Sequence, residues 1–255
     1  MEMKRLKDKT VFITGGLSGI GKACAVAAAK EGANVVVADL RSVTIDSAMK
    51  EIEGENDTAT FIECDVASMA SVEHAIAETI AKFKTLDVAL NDAGIGGEST
   101  PIAEMTEEIW NQTIRINLTG VFNCLKHELI QMTKQKSGTI INMSSILGKV
   151  GFSGSAAYVA AKHGVIGLTQ TAALEYAAQG IRINALCPGF VDTPLLTKGG
   201  INDNETVKQE IMALHPMNRF GKATEIANAF VFLASDESSF ITGTSLEIDG
   251  GYLAR

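Results

Sequence analysis

Seven short runs of β-branched or apolar residues recur along the chain, separated by longer stretches rich in Ala, Glu and Lys, and few folds accept that alternation. The runs are Thr10 to Thr14, Asn34 to Ala38, Thr60 to Glu63, Leu86 to Asn91, Gly138 to Met143, Ile181 to Leu186 and Ser245 to Ile248. The second, fourth and sixth are almost wholly apolar instead of alternating. Both of their faces must therefore be covered, as in a parallel sheet wrapped by helices. The intervening patterns predict helices at Gly19 to Glu31, Val43 to Glu53, Ser68 to Lys84, Thr106 to Lys134, Ser155 to Ala178 and Thr224 to Ala234. The expected fold is α/β, a doubly wound parallel sheet of about seven strands, with all 255 residues in a single domain.

Only the region 192–221 breaks the rhythm. Pro194, Gly199, Gly200 and Pro216 punctuate it around a short predicted helix, Glu205 to Leu214. In open parallel sheets ligands bind beyond the carboxyl ends of the strands, so an insertion after the sixth strand reads as a lid over a substrate.

A net charge of -8 disfavours nucleic acid and anionic membranes, which reward clustered Lys and Arg, and leaves a small molecule as the expected partner. Cys24, Cys64, Cys124 and Cys187 lie far apart, as do His74, His127, His163 and His215. Neither set has disulfide or metal-ligand spacing, and each histidine is expected to be a surface or a satisfied core residue. No metal is expected. The segment Met1 to Lys9 is charged, and the apolar run after it, Val11 to Ile13, is too short for a signal sequence or a membrane span. A cytoplasmic protein is expected.

Between the first strand and the first helix stands Thr14-Gly15-Gly16-Leu17-Ser18-Gly19-Ile20-Gly21. A tight turn without Cβ atoms lets backbone N–H groups and a helix N-terminus approach a pyrophosphate. Asp39 ends the second strand, where a carboxylate accepts hydrogen bonds from the adenine ribose hydroxyls of a dinucleotide. Farther on, Tyr158-Val159-Ala160-Ala161-Lys162 places a phenol and an ammonium on one face of a predicted helix. A free phenol, with a pKa of about 10, is too weakly acidic to act as a base near neutrality, and an adjacent cation favours the phenolate. Lys162 is expected to lower the Tyr158 pKa. Asn117, a poor helix former inside a helical stretch, points to a local hydrogen-bonding role.

The Thr-led spacing of Gly15, Gly19 and Gly21, with Ser18 and Ile20 between them, resembles the short-chain dehydrogenase/reductase family, whose fold is Rossmann-like. Asp65-Val66 after the third strand is similar to the family's adenine-contacting pair. Asn91-Asp92-Ala93-Gly94 is similar to its Asn-Asn-Ala-Gly element, with Asp92 a departure that touches local hydrogen bonding. Ser145, thirteen positions before Tyr158, matches the family's catalytic serine, and Ser144 is the alternative. The resemblance implies that Ser145 hydrogen-bonds the substrate oxygen, Tyr158 is the acid–base, Lys162 also holds the nicotinamide ribose, and Asn117 holds a water in a proton relay. It further implies that Pro188-Gly189-Phe190-Val191-Asp192-Thr193 borders the nicotinamide, with Val191 and Thr193 on its carboxamide. The closing Asp249-Gly250-Gly251 fits as well. A homotetramer is implied, pairing through the helices Thr106 to Lys134 and Ser155 to Ala178.

The expected function is NAD(H)-dependent interconversion of a ketone and a secondary alcohol. Asp39 repels the 2′-phosphate of NADP, although Arg41, two residues on, has the charge to pair with one. The substrate is expected to be apolar, lined by Gly94 to Gly97, Ile146 to Gly148, Val150 to Phe152, Phe190 and the lid residues Leu195, Leu196, Ile201, Ile211 and Met212. Glu98, Lys149 and Asn202 are the nearby polar candidates. A 3-oxoacyl-carrier-protein reductase, a sugar or polyol dehydrogenase, a hydroxysteroid dehydrogenase and a non-catalytic cofactor-binding regulator are the alternatives.

Overall fold

The computed structural model describes residues 4–54, 58–199 and 204–255. Strands β1 (Thr10–Thr14), β2 (Asn34–Asp39), β3 (Thr60–Glu63), β4 (Val88–Asn91), β5 (Gly138–Met143) and β6 (Ile181–Pro188) are separated by helices. These are α1 (Gly19–Lys30), α2 (Ile45–Glu53), α3 (Met69–Phe83), α4 (Glu107–Ile114), α5 (Gly120–Gln135) and α6 (Ala156–Tyr176). After β6 come a two-residue pair of strands, β7 (Val191–Asp192) and β8 (Gly221–Lys222), enclosing α7 (Pro194–Lys198) and α8 (Glu205–Ala213). Helix α9 (Ala223–Ala234) and strand β9 (Ser245–Ile248) follow.

The main sheet has seven parallel strands in the order β3-β2-β1-β4-β5-β6-β9. Successive side chains alternate between its faces. Val11, Ile13, Val35, Val37, Val88, Leu90 and Ile141 pack with α1, α2 and α9, while Phe12, Val36, Ala89 and Ile140 pack with α3, α5 and α6. That two-sided burial explains the nearly continuous apolar runs. The strand order reverses between β1 and β4, which opens a crevice at their carboxyl ends and concentrates the chain's polar loops there.

The long helix predicted from Thr106 to Lys134 is instead α4 and α5 joined by a π-helical turn, Arg115–Thr119. Apolar periodicity survives one inserted residue, so the sequence pattern does not register the break. Three strand bounds also move: β2 runs on to Asp39, β4 begins at Val88 and not Leu86, and β6 runs on to Pro188. In the lid, Leu196, Ile211 and Phe220 form a small core of their own, with Phe190, Val207 and Met212 against it. Ile201 and Asn202 lie outside the described residues.

Candidate active site

At the end of β1 the chain turns through Gly15 at φ +71°, and the Gly15 N–H donates to the Ala38 carbonyl at 2.9 Å. A Cβ on Gly15 would lie 2.9 Å from the Ala93 backbone, and one on Gly21 would lie 2.8 Å from Asp92 Oδ2. Only glycine lets the turn pack against the loop after β4. Thr14 Oγ1 accepts from the N–H groups of Asp92 and Ala93 at 3.1 and 3.2 Å, fixing that loop from the other side. Ser18 precedes α1 in extended conformation without capping it by its side chain. Gly19, at φ +56°, faces Thr193, whose Cβ would be 3.6 Å from a Cβ placed there. The turn, Ala93 and Thr193 thus converge, while Gly94 is exposed beside them.

Asp39 ends β2 half-buried. Its two carboxylate oxygens accept from Leu17 N at 3.1 Å and Leu40 N at 2.8 Å. Burial raises its pKa, and these two N–H groups oppose the rise. Arg41 turns away, with Nε 2.7 Å from Glu63 Oε2. Asp65 is exposed and caps Ala67 N at 2.9 Å, and the Val66 carbonyl accepts from Asn123 Nδ2 at 2.8 Å. A Cβ on Gly120 would sit 2.9 Å from Val66, so α5 closes on this loop only because residue 120 is glycine.

Beyond β5 the two serines separate in role. Ser144 Oγ donates to the Lys162 carbonyl at 2.9 Å and ties the strand end to α6. Ser145 Oγ accepts from Leu147 N at 3.1 Å, and its hydroxyl lies on the Tyr158 phenol, whose pKa it lowers. That assignment favours Ser145 over Ser144. Lys162, 4% exposed, lies with Nζ 5.5 Å from the Tyr158 ring centroid. Its ammonium donates to the Met143 carbonyl at 2.7 Å. Burial pulls Lys162 down to about 8, opposed by the carboxylate of Asp92. The phenol of Tyr158 does not go down as expected. Burial pushes it up to about 12, the hydrogen bond with Ser145 opposes the rise, and Asp92 adds to it. The cation is drawn onto the Met143 carbonyl, so burial prevails.

Asp92, at the position where the family pattern has Asn, is held near 7 by burial, with Lys162 and the Gly21 N–H pulling it down. Its carboxyl is thus an additional titrating group between the glycine turn and the lysine. Asn117 is fully buried in the π-helical turn. Its amide makes a double bond to one residue, accepting from Ile95 N at 2.8 Å and donating to Ile95 O at 2.7 Å. It fixes the loop after β4 from a turn that packs against α6, the helix of Tyr158 and Lys162.

Sequence reasoning missed a second buried chain behind the strands. Asn91 Nδ2 donates to Glu128 Oε2 at 3.0 Å and to Asn142 Oδ1 at 2.9 Å, and Asn142 Nδ2 donates to Thr169 Oγ1 at 2.9 Å. Glu128 is fully buried, and burial pushes its carboxyl up to about 8. The only available signal was an Asn at the last position of one apolar strand, β4, and the next-to-last of another, β5. Among the polar candidates for substrate, Lys149 is committed to Glu247 and to the Ser245 carbonyl at 3.2 Å on β9. Phe152 and Phe190 stand 5.8 Å apart, centroid to centroid, and Phe152 borders an open, mostly apolar hollow of about 600 Å³ with Pro101, Ile102 and Val159. Among the described residues no group of His, Cys, Asp and Glu could hold a metal, and no helix is long and apolar enough to cross a membrane.

The family profile described as Enoyl-(Acyl carrier protein) reductase matches residues 15–253. The chain belongs to the short-chain dehydrogenase/reductase family. It is 40% identical to the 3-oxoacyl-[acyl-carrier-protein] reductase FabG of Thermotoga maritima over 97% of this chain and 98% of the relative. It is also 40% identical to a 2,5-dichloro-2,5-cyclohexadiene-1,4-diol dehydrogenase of Sphingobium indicum, over 99% of this chain and 100% of the relative. Among solved structures, levodione reductase is similar with a TM-score of 0.95 and 36% identity, covering 98% of this chain and 99% of the other. The chain is therefore a Rossmann-like oxidoreductase acting between ketones and alcohols and using a nicotinamide cofactor.

Proposed function

We propose that this member of the family is an NAD(H)-dependent dehydrogenase or ketone reductase for a fairly apolar, six-membered carbocyclic alcohol or ketone. One observation carries the reading. Ser145, Tyr158 and Lys162 meet at the end of β5, beside a glycine cradle whose neighbouring carboxylate, Asp39, accepts from backbone N–H groups while Arg41 is paired with Glu63.

The glycine cradle, which Cβ atoms would fill, and the Asp39 carboxylate fit a dinucleotide. Gly15, Ser18, Gly19, Ile20 and Gly21 would hold the pyrophosphate, and Asp39 the adenine ribose. Asp65 and Val66 would border the adenine, the loop of Asn91, Ala93 and Gly94 the cofactor beside it, and Pro188, Gly189, Val191 and Thr193 the nicotinamide. When bound, the cofactor supplies or accepts the hydride. Tyr158 gives a proton to the substrate oxygen during reduction, and Ser145 donates a hydrogen bond to the same oxygen as charge develops on it. A phenol pushed up by burial keeps its proton at neutral pH and so has one to give. Lys162 would contribute its charge and grip the ribose, and Asn117, which holds the adjoining loop, would hold a water in the proton relay to that lysine.

Phe152 and Phe190 support an apolar ring as substrate, and the Sphingobium relative, a dehydrogenase of a cyclohexadiene diol, agrees with that class. A 3-oxoacyl-carrier-protein reductase is the second reading, favoured by the Thermotoga relative. We also propose one catalytic domain with its lid at 192–221, a cytoplasmic location, and a homotetramer. The exposed Trp110, Phe122 and Leu174 on α4, α5 and α6 suit that assembly. The deciding experiment compares kcat/KM for cyclohexanone, a 3-oxoacyl thioester and a ketose, each with NADH and NADPH. Highest values for cyclohexanone with NADH support the proposal. A preference for the thioester with NADPH replaces it by the second reading.

A further inference from the structure

His215 follows α8 and is 2% exposed. Its Nδ1 lies 3.0 Å from the Ile211 carbonyl, four residues back on the same lid helix. A carbonyl can only accept, so Nδ1 carries the hydrogen. That leaves Nε2 as an acceptor, and Phe190 N–H donates to it at 3.2 Å. One ring therefore joins the lid helix to the backbone just before Val191. The approach is close, since a Cβ on Gly189 would lie 2.9 Å from Nε2. The imidazole also meets the Phe190 ring edge to face at 5.8 Å and the Tyr252 ring at 5.2 Å.

We propose that His215 is a positioning residue, a latch that holds the lid on the segment 188–193 and thereby sets dinucleotide affinity, and that it works only with a neutral ring. The cofactor part rests on the reading above that this segment borders the nicotinamide. Protonation would make both nitrogens donors, so the Phe190 N–H would face another N–H and the contact would open. The charged groups around the ring do not offset this. Glu225 is paired with Arg219 at 2.7 and 2.9 Å, and Asp249 accepts from Gly251 N and Leu253 N, both at 2.9 Å. Arg255 lies over the far Tyr252 ring at 5.1 Å.

His215→Gln keeps an acceptor and a donor without a titrating proton, and His215→Leu removes both bonds at similar volume. Two measurements are made on each protein between pH 5.5 and 8: hydrogen-exchange protection of Phe190 and α8 in the free enzyme, corrected for the intrinsic rate, and the Kd of NADH by fluorescence. Wild-type protection should fall at least tenfold on acidification and its Kd should rise at least fivefold. In His215→Gln both should stay flat within twofold, and in His215→Leu both should be poor throughout. A glutamine variant that follows the wild-type pH curves overturns the latch, as does a leucine variant as well protected as wild type. Protection that changes while Kd does not overturns the link to cofactor affinity. Wild-type protein that binds no NADH at pH 8 overturns the cofactor reading instead, and the exchange data then decide the latch alone.

Discussion

Glu128→Gln probes the buried chain that braces the site from behind. Among the described residues Glu128 Oε1 and Asn91 Oδ1, both buried acceptors, have no donor, while Glu128 Oε2 takes the Asn91 amide at 3.0 Å. A proton on Glu128 relieves the mismatch, which fits a carboxyl held at about 8 in the folded chain against an ordinary 4.5. A raised acid pKa means that the folded state binds the proton more tightly. Its stabilising contribution is fully present below the ordinary pKa and is lost as pH rises through about 8. The slope is about 1.4 kcal/mol per pH unit, so the loss between pH 5 and pH 8 is about 4 kcal/mol at most. Glutamine supplies a permanent donor in the same shape. In urea unfolding, the variant should match wild type at pH 5 within about 1 kcal/mol and exceed it by about 2–4 kcal/mol at pH 8. Parallel stability curves for the two proteins across that range would refute a protonated Glu128.

Asp39→Ser removes a charge facing the 2′-phosphate position. With an effective dielectric of about 40, a separation of roughly 5 Å and about two negative charges on the phosphate, that repulsion is about 3 kcal/mol, so the NADPH/NADH ratio of kcat/KM should rise about 100-fold. An unchanged ratio would mean that Asp39 does not face the ribose. Asp92→Asn withdraws the carboxylate that holds the Lys162 proton, so Lys162 should titrate lower than about 8. The basic limb of the kcat profile should then move by about one pH unit toward acid, and a limb that stays in place would separate Asp92 from the catalytic proton.

The strands were legible because burial on both faces of a parallel sheet writes itself as apolar runs. The glycine turn was legible because the close approaches at Gly15 and Gly21 admit no side chain. The π-helical turn at Asn117 was not, since it alters backbone register without altering composition. Glu128 was missed, whereas His215, expected as a surface or satisfied core residue, is buried and satisfied and only its partner was not legible. Glu128 meets Asn91 across 37 positions and His215 meets Phe190 across 25, and nothing local marks either pairing. The charge balance at Tyr158 was misjudged because spacing placed Lys162 on the correct face, but only the fold shows its ammonium drawn onto the Met143 carbonyl. Lid residues Leu196 and Ile211 read equally well as pocket wall or core, and packing with Phe220 makes them core.

The central claim is that Tyr158 moves the proton. The most direct measurement is single-turnover reduction of cyclohexanone by Tyr158→Phe with NADH, alongside the Kd of NADH from fluorescence. Phenylalanine removes the hydroxyl and leaves the ring beside Lys162, so the rate should fall by about a thousandfold or more while Kd stays within about threefold. A variant that retains a tenth or more of the wild-type rate would contradict the account.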